Sequence, residues 1–194
     1  AEGTPAREDA EVISGEISRL ERIVKDFLQF ARPSEPEFAP FPVEELLQGV
    51  RQLLQPALDK AGVRIVVEPA TEPIELTADA GQIKQVLINL VRNAADAVGS
   101  NGDVTLRARL DNKRLGDRAT DVVVIEVQDT GPGISPEVEK RLFDPFFSTK
   151  ESGTGLGLPI AARIVEKHQG ALQYQTRAGG GTTFGLVIPR TPPH

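Results

Sequence analysis

The 194-residue chain contains no cysteine and no methionine, and only two histidines, His168 and His194. Without cysteine there is no disulfide, no thiolate metal site and no cysteine nucleophile. Without methionine, a chain that opens Ala1-Glu2-Gly3 has no initiator of its own and is expected to be processed or to be an excerpt of a larger protein. Long apolar runs are missing as well. The longest, Val122 to Ile125 and Leu186 to Ile188, are far too short to span a bilayer, and no signal peptide is expected at the start. An excess of basic charge is also lacking, since 28 acidic residues outnumber 22 basic ones for a net charge of −6. That balance argues against a nucleic-acid partner and against a polybasic membrane contact. What remains, a chain 39% hydrophobic and 26% charged, fits one soluble globular domain with a short appendage.

The appendage carries most of the acidity. The first 40 residues hold 9 acidic and 5 basic side chains. Within them Ile13, Ile17, Leu20, Val24, Phe27 and Ala31 recur at spacings of 4 and 3, which places them on one seam of a helix, with Ile23 and Phe30 widening it. Arg32-Pro33 ends that helix, because a residue before proline avoids helical angles. Such a seam is expected to pack against other helices, the alternative being a terminal helix folded onto its own domain. Residues 34–42, with Pro33, Pro36, Pro40 and Pro42 in or beside them, read as a stiff extended linker. The main domain is expected over 43–190, with 191–194 as a tail. Its pattern predicts a helix from Val43 to about Ala61, strands at Val63–Glu68 and Ile74–Ala78, and a helix from the capping box Asp79-Ala80-Gly81-Gln82 to about Val98. Strands at Val104–Leu110 and Val122–Gln128 flank a charged loop. A helix from Gly157 to Gln169, closed by Gly170, precedes a hairpin of Leu172–Thr176 and Thr183–Ile188. Strands and helices mix without strict alternation, which predicts an α/β two-layer sandwich: a mixed sheet with helices on one face, preceded by a long N-terminal helix.

Three features carry chemistry. On the helix opened by Asp79, the residues Gln85, Asn89, Asn93 and Asp96 share a stripe apart from the core side. An amide oxygen there is a suitable hard ligand for Mg²⁺, an ion that takes few protein groups and completes its shell with phosphates and water. Next, Asp129-Thr130-Gly131-Pro132-Gly133 puts a carboxylate at a strand end, where it can accept a hydrogen bond from an exocyclic amine such as that of adenine. Finally, Gly153-Thr154-Gly155-Leu156-Gly157-Leu158 delivers a helix N-terminus, whose unpaired N–H groups and dipole suit phosphates, and Lys150 stands three residues before it. Each alone has an ordinary explanation: amides facing water, a common turn, a flexible hinge, a solvated lysine. Their occurrence together and in this order is the informative observation.

In that order they resemble sensor histidine kinases. Residues 82–98 (QIKQVLINLVRNAADAV) resemble the family's N box, Asp129–Gly133 its G1 box, Phe143-Asp144-Pro145-Phe146-Phe147 its F box and Gly153–Gly157 its G2 box, while Phe-Phe-Ser-Thr-Lys is most similar to the nitrogen-regulatory subgroup. The resemblance covers roughly residues 12–190. It implies a Bergerat-type ATP-binding fold in which Asn93 ligates Mg²⁺, Asn89 supports the phosphate end, Asp129 binds the adenine amine and residues 131–157 form the ATP lid. Asn89, Asn93 and Lys150 are the implied catalytic residues. Asp96, Gly131, Gly133, Gly153, Thr154, Gly155, Leu156, Gly157, Leu158 and Thr182 join them as implied ATP contacts. Residues 17–33 (ISRLERIVKDFLQFARP) are similar to the second helix of the family's dimerisation and phosphoacceptor hairpin.

Asn89 stands where gyrase, MutL and chaperone ATPases of this superfamily, and the mitochondrial dehydrogenase kinases, carry a Glu that serves as general base. An amide cannot take a proton at neutral pH, so activation of water is poorly served and transfer relies on positioning and charge neutralisation. The acceptor histidine of the family belongs to a helix that this chain does not contain. His168, in the last turn of a helix, reads as structural or surface, and a cation there would suit the dipole. The resemblance thus implies the ATP-binding catalytic domain of a histidine kinase, passing the γ-phosphoryl of Mg-ATP to a histidine outside the chain for relay to a response-regulator aspartate. It also implies a homodimeric parent, cytoplasmic with or without a membrane anchor. An ATPase that drives a clamp, or a nucleotide-gated interaction module without enzyme activity, are the alternatives.

Overall fold

The computed structural model of the chain describes residues 5–31, 34–115, 118–150 and 153–192. Helix α1 (Pro5–Ala31) stops where Arg32-Pro33 requires. It is followed by β1 (Ala39–Pro42), α2 (Val43–Lys60), β2 (Val63–Val67), β3 (Glu75–Ala78) and α3 (Ala80–Val98). The long strands β4 (Gly102–Leu115) and β5 (Arg118–Asp129), the short helix α4 (Pro136–Glu139), helix α5 (Gly157–Lys167), β6 (Ala171–Thr176) and β7 (Thr182–Pro189) complete the order.

Five strands form one sheet in the order β2-β4-β5-β7-β6, of which β2 and β4 pair parallel and the other neighbours antiparallel. Alternation along β5 separates its faces. Val123, Ile125 and Val127 join the main core with Leu47, Leu87, Leu90 and Ile160 of helices α2, α3 and α5, whereas Val122 and Val124 make a small separate cluster with Val187. Beside that second cluster, Glu126 takes Arg107 at 2.6 Å and Arg109 at 3.6 Å. The result is the expected α/β sandwich: helices on one face of a mixed sheet, with ion pairs on the other.

Four local expectations need correction. The proposed linker is a spacer in neither half. Ala39–Pro42 pairs antiparallel with β3, and Glu37 donates its N–H to Asp79 Oδ2 at 3.1 Å. Prolines at 40 and 42 fit there because β1 belongs to a two-stranded edge ribbon with few ladder bonds to lose. The charged loop between β4 and β5 is mostly ladder, since pairing continues from Asp111 opposite Val122 to Leu115 opposite Arg118. A two-stranded ribbon beyond the core has no face to bury, so no hydrophobic alternation announces it. Polar cross-strand pairs replace it, such as Asn112 Nδ2 donating to Asp121 Oδ1 at 2.8 Å.

The capping box is only half realised. Asp79 Oδ1 accepts from the N–H of Gln82 at 3.0 Å, but the Gln82 amide donates to Ser34 Oγ at 3.2 Å instead of returning to the cap. The N–H of Asp79 donates to His168 Nε2 at 3.1 Å, and His168 Nδ1 lies 2.8 Å from the carbonyl of Ile164. An imidazole that accepts at Nε2 and donates at Nδ1 is the neutral ring, so His168, only 2% exposed, is a structural core residue without the cationic dipole role. Finally, α5 closes on Gln169 rather than Gly170. Gln169 has φ 57°, its N–H donates to Glu166 O at 2.8 Å, and Gly170 N–H donates to Val165 O at 3.0 Å, the paired bonds of a Schellman end. Gly170 is required for a different reason, because a Cβ there would clash with the carbonyl of Val187.

Candidate functional site

A cavity of about 580 Å³ opens between α3, the end of β5, the segment after it and the start of α5. Its wall includes Asn89, Asn93, Asp96, Asp129, Gly133, Lys150, Gly153, Thr154, Gly155, Gly157, Leu158 and Thr182. Twelve of the fourteen residues expected from the sequence therefore converge. The other two do not face it: Leu156 is fully buried in the core, and Gly131 turns its N–H to Asp129. Gln85, the first member of the polar stripe, is also absent from the wall among the described residues. The sequence reading missed Arg92, the apolar floor of Ile134, Val138, Leu142 and Phe184, and Asp26, which comes from α1. No chemical pattern marks those apolar positions, and Asp26 lies on a helix read as a separate element.

Asp129 anchors one end. It is 4% exposed, and Oδ1 accepts from Gly131 N–H at 2.8 Å and from Thr182 N–H at 3.2 Å. Both bonds fall on one oxygen, and Oδ2 takes none among the described residues, so it is available to a ligand donor. Thr182 thus holds Asp129 through its backbone N–H. Burial pushes the Asp129 carboxyl above the ordinary 3.8, and the two N–H bonds pull in the other direction. Gly131 lies against the last turn of α3, where a Cβ would sit 3.2 Å from the carbonyl of Ala97.

The other end lies farther back along α3. Asn89 Nδ2 is 3.5 Å from the carbonyl of Gly157, and a Cβ on Gly157 would be 4.0 Å from the amide nitrogen of Asn93. From Asn89 to Ala97 the helix rises about 12 Å, which sets the distance between the two ends. Helix α5 begins here without a side-chain cap, and Pro159 has no N–H, so the first-turn donors are those of Gly157 and Leu158. Lys150 Nζ reaches Asp96 Oδ2 at 2.7 Å and Asn93 Oδ1 at 3.4 Å, bringing a cation to the amide stripe. Asp96, expected as an ATP contact, is thereby an ion-pair partner of Lys150, and the pair is exposed enough for Lys150 to exchange it for another anion.

The segment between β5 and α5 is pinned at its far end. Phe146 N–H donates to the carbonyl of Gly155 at 3.1 Å, and Phe146 itself takes φ 66°, a left-handed conformation costly for an aromatic residue. Gly155, at φ 68°, has no alternative side chain, because a Cβ would clash with the Phe146 backbone. The F-box and glycine-rich motifs are thus one joined structure. Arg141 stacks 4.2 Å over the Phe147 ring and Phe143 meets Tyr174, which packs the same segment on the hairpin.

The donor set fits a nucleotide with its metal: an acceptor oxygen for an amine at one end, amide oxygens, a lysine and open backbone donors at the other. Among the described residues no cluster of three or more His, Cys, Asp or Glu could hold a metal by itself. No described helix is long and apolar enough to cross a membrane.

Residues 78–192 match the family model of histidine kinase-, DNA gyrase B- and HSP90-like ATPases. The signal transduction histidine-protein kinase AtoS of Escherichia coli (strain K12) is 33% identical over 181 residues, covering 93% of this chain and 29% of AtoS. The chain spans less than half the length of the curated relatives it matches. Among solved structures, the catalytic domain of histidine kinase ThkA superposes with a TM-score of 0.68 at 35% identity, covering 80% of this chain and 97% of that one. ThkA in complex with the response regulator protein TrrA gives a TM-score of 0.77 at 33% identity, covering 99% of this chain and 53% of that one.

Proposed function

The chain belongs to the histidine kinase-, DNA gyrase B- and HSP90-like ATPase family as the ATP-binding catalytic part of a sensor histidine kinase, and on that premise we propose how its residues divide the work. The observation that carries the reading is the single cavity that joins the free Oδ2 of Asp129 to Asn89, Asn93, Lys150 and the open start of α5. Asp129 accepts the exocyclic amine of adenine. Thr182 and Gly131 hold its other oxygen fixed, so that no reorganisation accompanies binding. At the far end, Gly157 and Leu158 offer N–H groups to phosphate oxygens, and Lys150 exchanges Asp96 for the terminal phosphate. Asn93 holds Mg²⁺ through its amide oxygen and Asn89 supports the same end. When bound, the ion neutralises phosphate charge and orients the transferring group.

Asn89 decides between hydrolysis and transfer. It bonds the backbone of Gly157 and has no proton affinity, so the site orients phosphates without activating water. A neutral imidazole brought to the cavity mouth needs no such base, which favours a histidine acceptor outside this chain. Relay to a response-regulator aspartate then follows, by analogy with the TrrA complex of ThkA. The exposed seam of α1 supports its assignment to half of a dimerisation hairpin, with the nucleotide domain running to about residue 190 and reaching back through β1, which pairs with β3. The use of ATP supports a cytoplasmic location for the domain.

The test uses Mg-ATP labelled at the γ position, with and without a hairpin that carries the acceptor histidine. Acid-labile, base-stable label on the hairpin, abolished by Asn93→Ala, is the expected result. Phosphate release without protein label would instead support the ATPase, and nucleotide binding with neither outcome the interaction module.

A further inference from the structure

Helix α1 lies outside the nucleotide fold, yet it reaches the cavity. Asp26 Oδ2 accepts a hydrogen bond from Thr154 Oγ1 at 2.9 Å, and Asp26 stands in the same wall as Asn93 and Lys150. Thr154 belongs to the glycine-rich run that opens α5, and its hydroxyl also receives the N–H of Leu156 at 3.3 Å. A hydroxyl has one proton to give. With α1 seated as it is, Thr154 gives that proton to Asp26, and a carboxylate stands where nucleotide phosphates would gather.

One further contact holds α1 against α5, and another holds the residues just after α1. Arg163 donates to the carbonyl of Phe30 at 2.6 Å with its guanidinium 5.8 Å from the Phe30 ring, and Lys167 reaches Ser34 O at 3.2 Å and Glu35 Oε1 at 2.8 Å. Asp26 of α1 meets Thr154 just before α5, Phe30 of α1 meets Arg163 within α5, and Ser34 beyond α1 meets Lys167, so the chain around the end of α1 runs beside α5 in the same direction. The anion site at the start of α5 is therefore bordered by a residue whose presence depends on how α1 sits.

We propose that α1 acts as a brake on nucleotide binding: docked along α5, it commits the Thr154 hydroxyl to Asp26 and sets a negative charge at the phosphate end, so that docking and polyphosphate binding oppose each other. The inference rests on the reading of the cavity as an ATP site. Two opposed equilibria are coupled reciprocally. Whatever pulls α1 from α5 raises affinity for ATP, and ATP in turn loosens α1. The penalty grows with ligand charge, and is largest for ATP, smaller for ADP and absent for adenosine, which carries no phosphate.

Calorimetric titration of the chain with ATP, ADP and adenosine, each with and without Mg²⁺, tests this. Asp26→Asn keeps the shape and the acceptor oxygen and removes the charge. It should tighten ATP about fivefold, ADP less, and leave adenosine unchanged. Arg163→Ala lies outside the cavity and only loosens α1, so it should tighten ATP in the same direction. The double variant should gain little over the better single one, since both act through one docking event. Unchanged ATP affinity in Asp26→Asn, an equal gain for adenosine, or fully additive effects would each overturn the brake. So would a loss of affinity confined to Mg²⁺-containing solutions, which would make Asp26 a metal contact instead. Failure of the underlying site reading looks different: the unaltered chain would bind neither adenosine nor ATP, and the brake would fall with it.

Discussion

Asp129 combines burial, two backbone hydrogen bonds on one oxygen and an open second oxygen, and these pull its chemistry in opposite directions. Its carboxyl is raised above 3.8 because desolvation outweighs the two bonds. For an acid whose folded value is raised, ionisation costs stability: the cost is absent below 3.8, grows as pH rises, and is complete above the raised folded value. Asp129→Asn keeps an oxygen for Gly131 and Thr182 and has no charge to desolvate. Its thermal midpoint relative to the unaltered chain should therefore improve from acidic to neutral pH, which parallel melts at several pH values would measure. Nucleotide binding should show the reverse. An Asn amide nitrogen set against the adenine amine leaves two donors facing, and ATP affinity should fall about tenfold or more while the preference over GTP shrinks. Acidification should also weaken ATP binding to the unaltered chain before ordinary carboxylates protonate. Intact affinity and discrimination in the variant would remove Asp129 from the adenine role.

Among the elements, α5 does the most for the site, because both of its ends are engaged. Its first turn offers phosphate donors, and its C-cap residue His168 satisfies the part-buried N–H of the α3 cap residue Asp79. The ring also packs against Phe38 of the segment leading into β1, at 5.3 Å between centroids. One imidazole thus joins α3, α5 and the start of the domain. Replacing it with leucine fills much of the space but leaves the Asp79 N–H without an acceptor. His168→Leu should cost about 1–3 kcal/mol in urea unfolding, with the slope of the transition unchanged. A loss within error would mean that water replaces the ring.

At the scale of the molecule, two bodies of different character meet. The sheet and helices α2, α3 and α5 bury one continuous core, whereas α1 leaves Ile13, Ile17, Leu20, Val24 and Phe27 between 49% and 60% exposed and, among its described side chains, packs Phe30 alone against that core. A chain of residues 34–194 should accordingly unfold cooperatively with a midpoint close to that of the full chain, since little apolar area is lost with α1. A collapse of the transition would show that α1 belongs to the core. The same truncation removes Asp26 and should raise ATP affinity.

Much of this was legible from residue types and order. Alternation and helical spacing predicted every long element, and the amide stripe, strand-end Asp and glycine run named most of the cavity wall, because each depends on chemistry local to a few neighbouring residues. The charged ribbon of β4 and β5 escaped notice because pairing outside a core leaves no hydrophobic period. The helix-end pattern gives Gly170 a closing role, whereas the residue that requires a glycine there is Val187 on a distant strand. The bonds that decide the rest join residues far apart in the chain: His168 to Asp79, Lys150 to Asp96, and Asp26 to Thr154. By itself the sequence determined which donors and acceptors the chain owns and which elements present them. Only the tertiary structure decided which of these are already committed to one another, because a hydrogen bond depends on distance and direction in space and leaves no period along the chain.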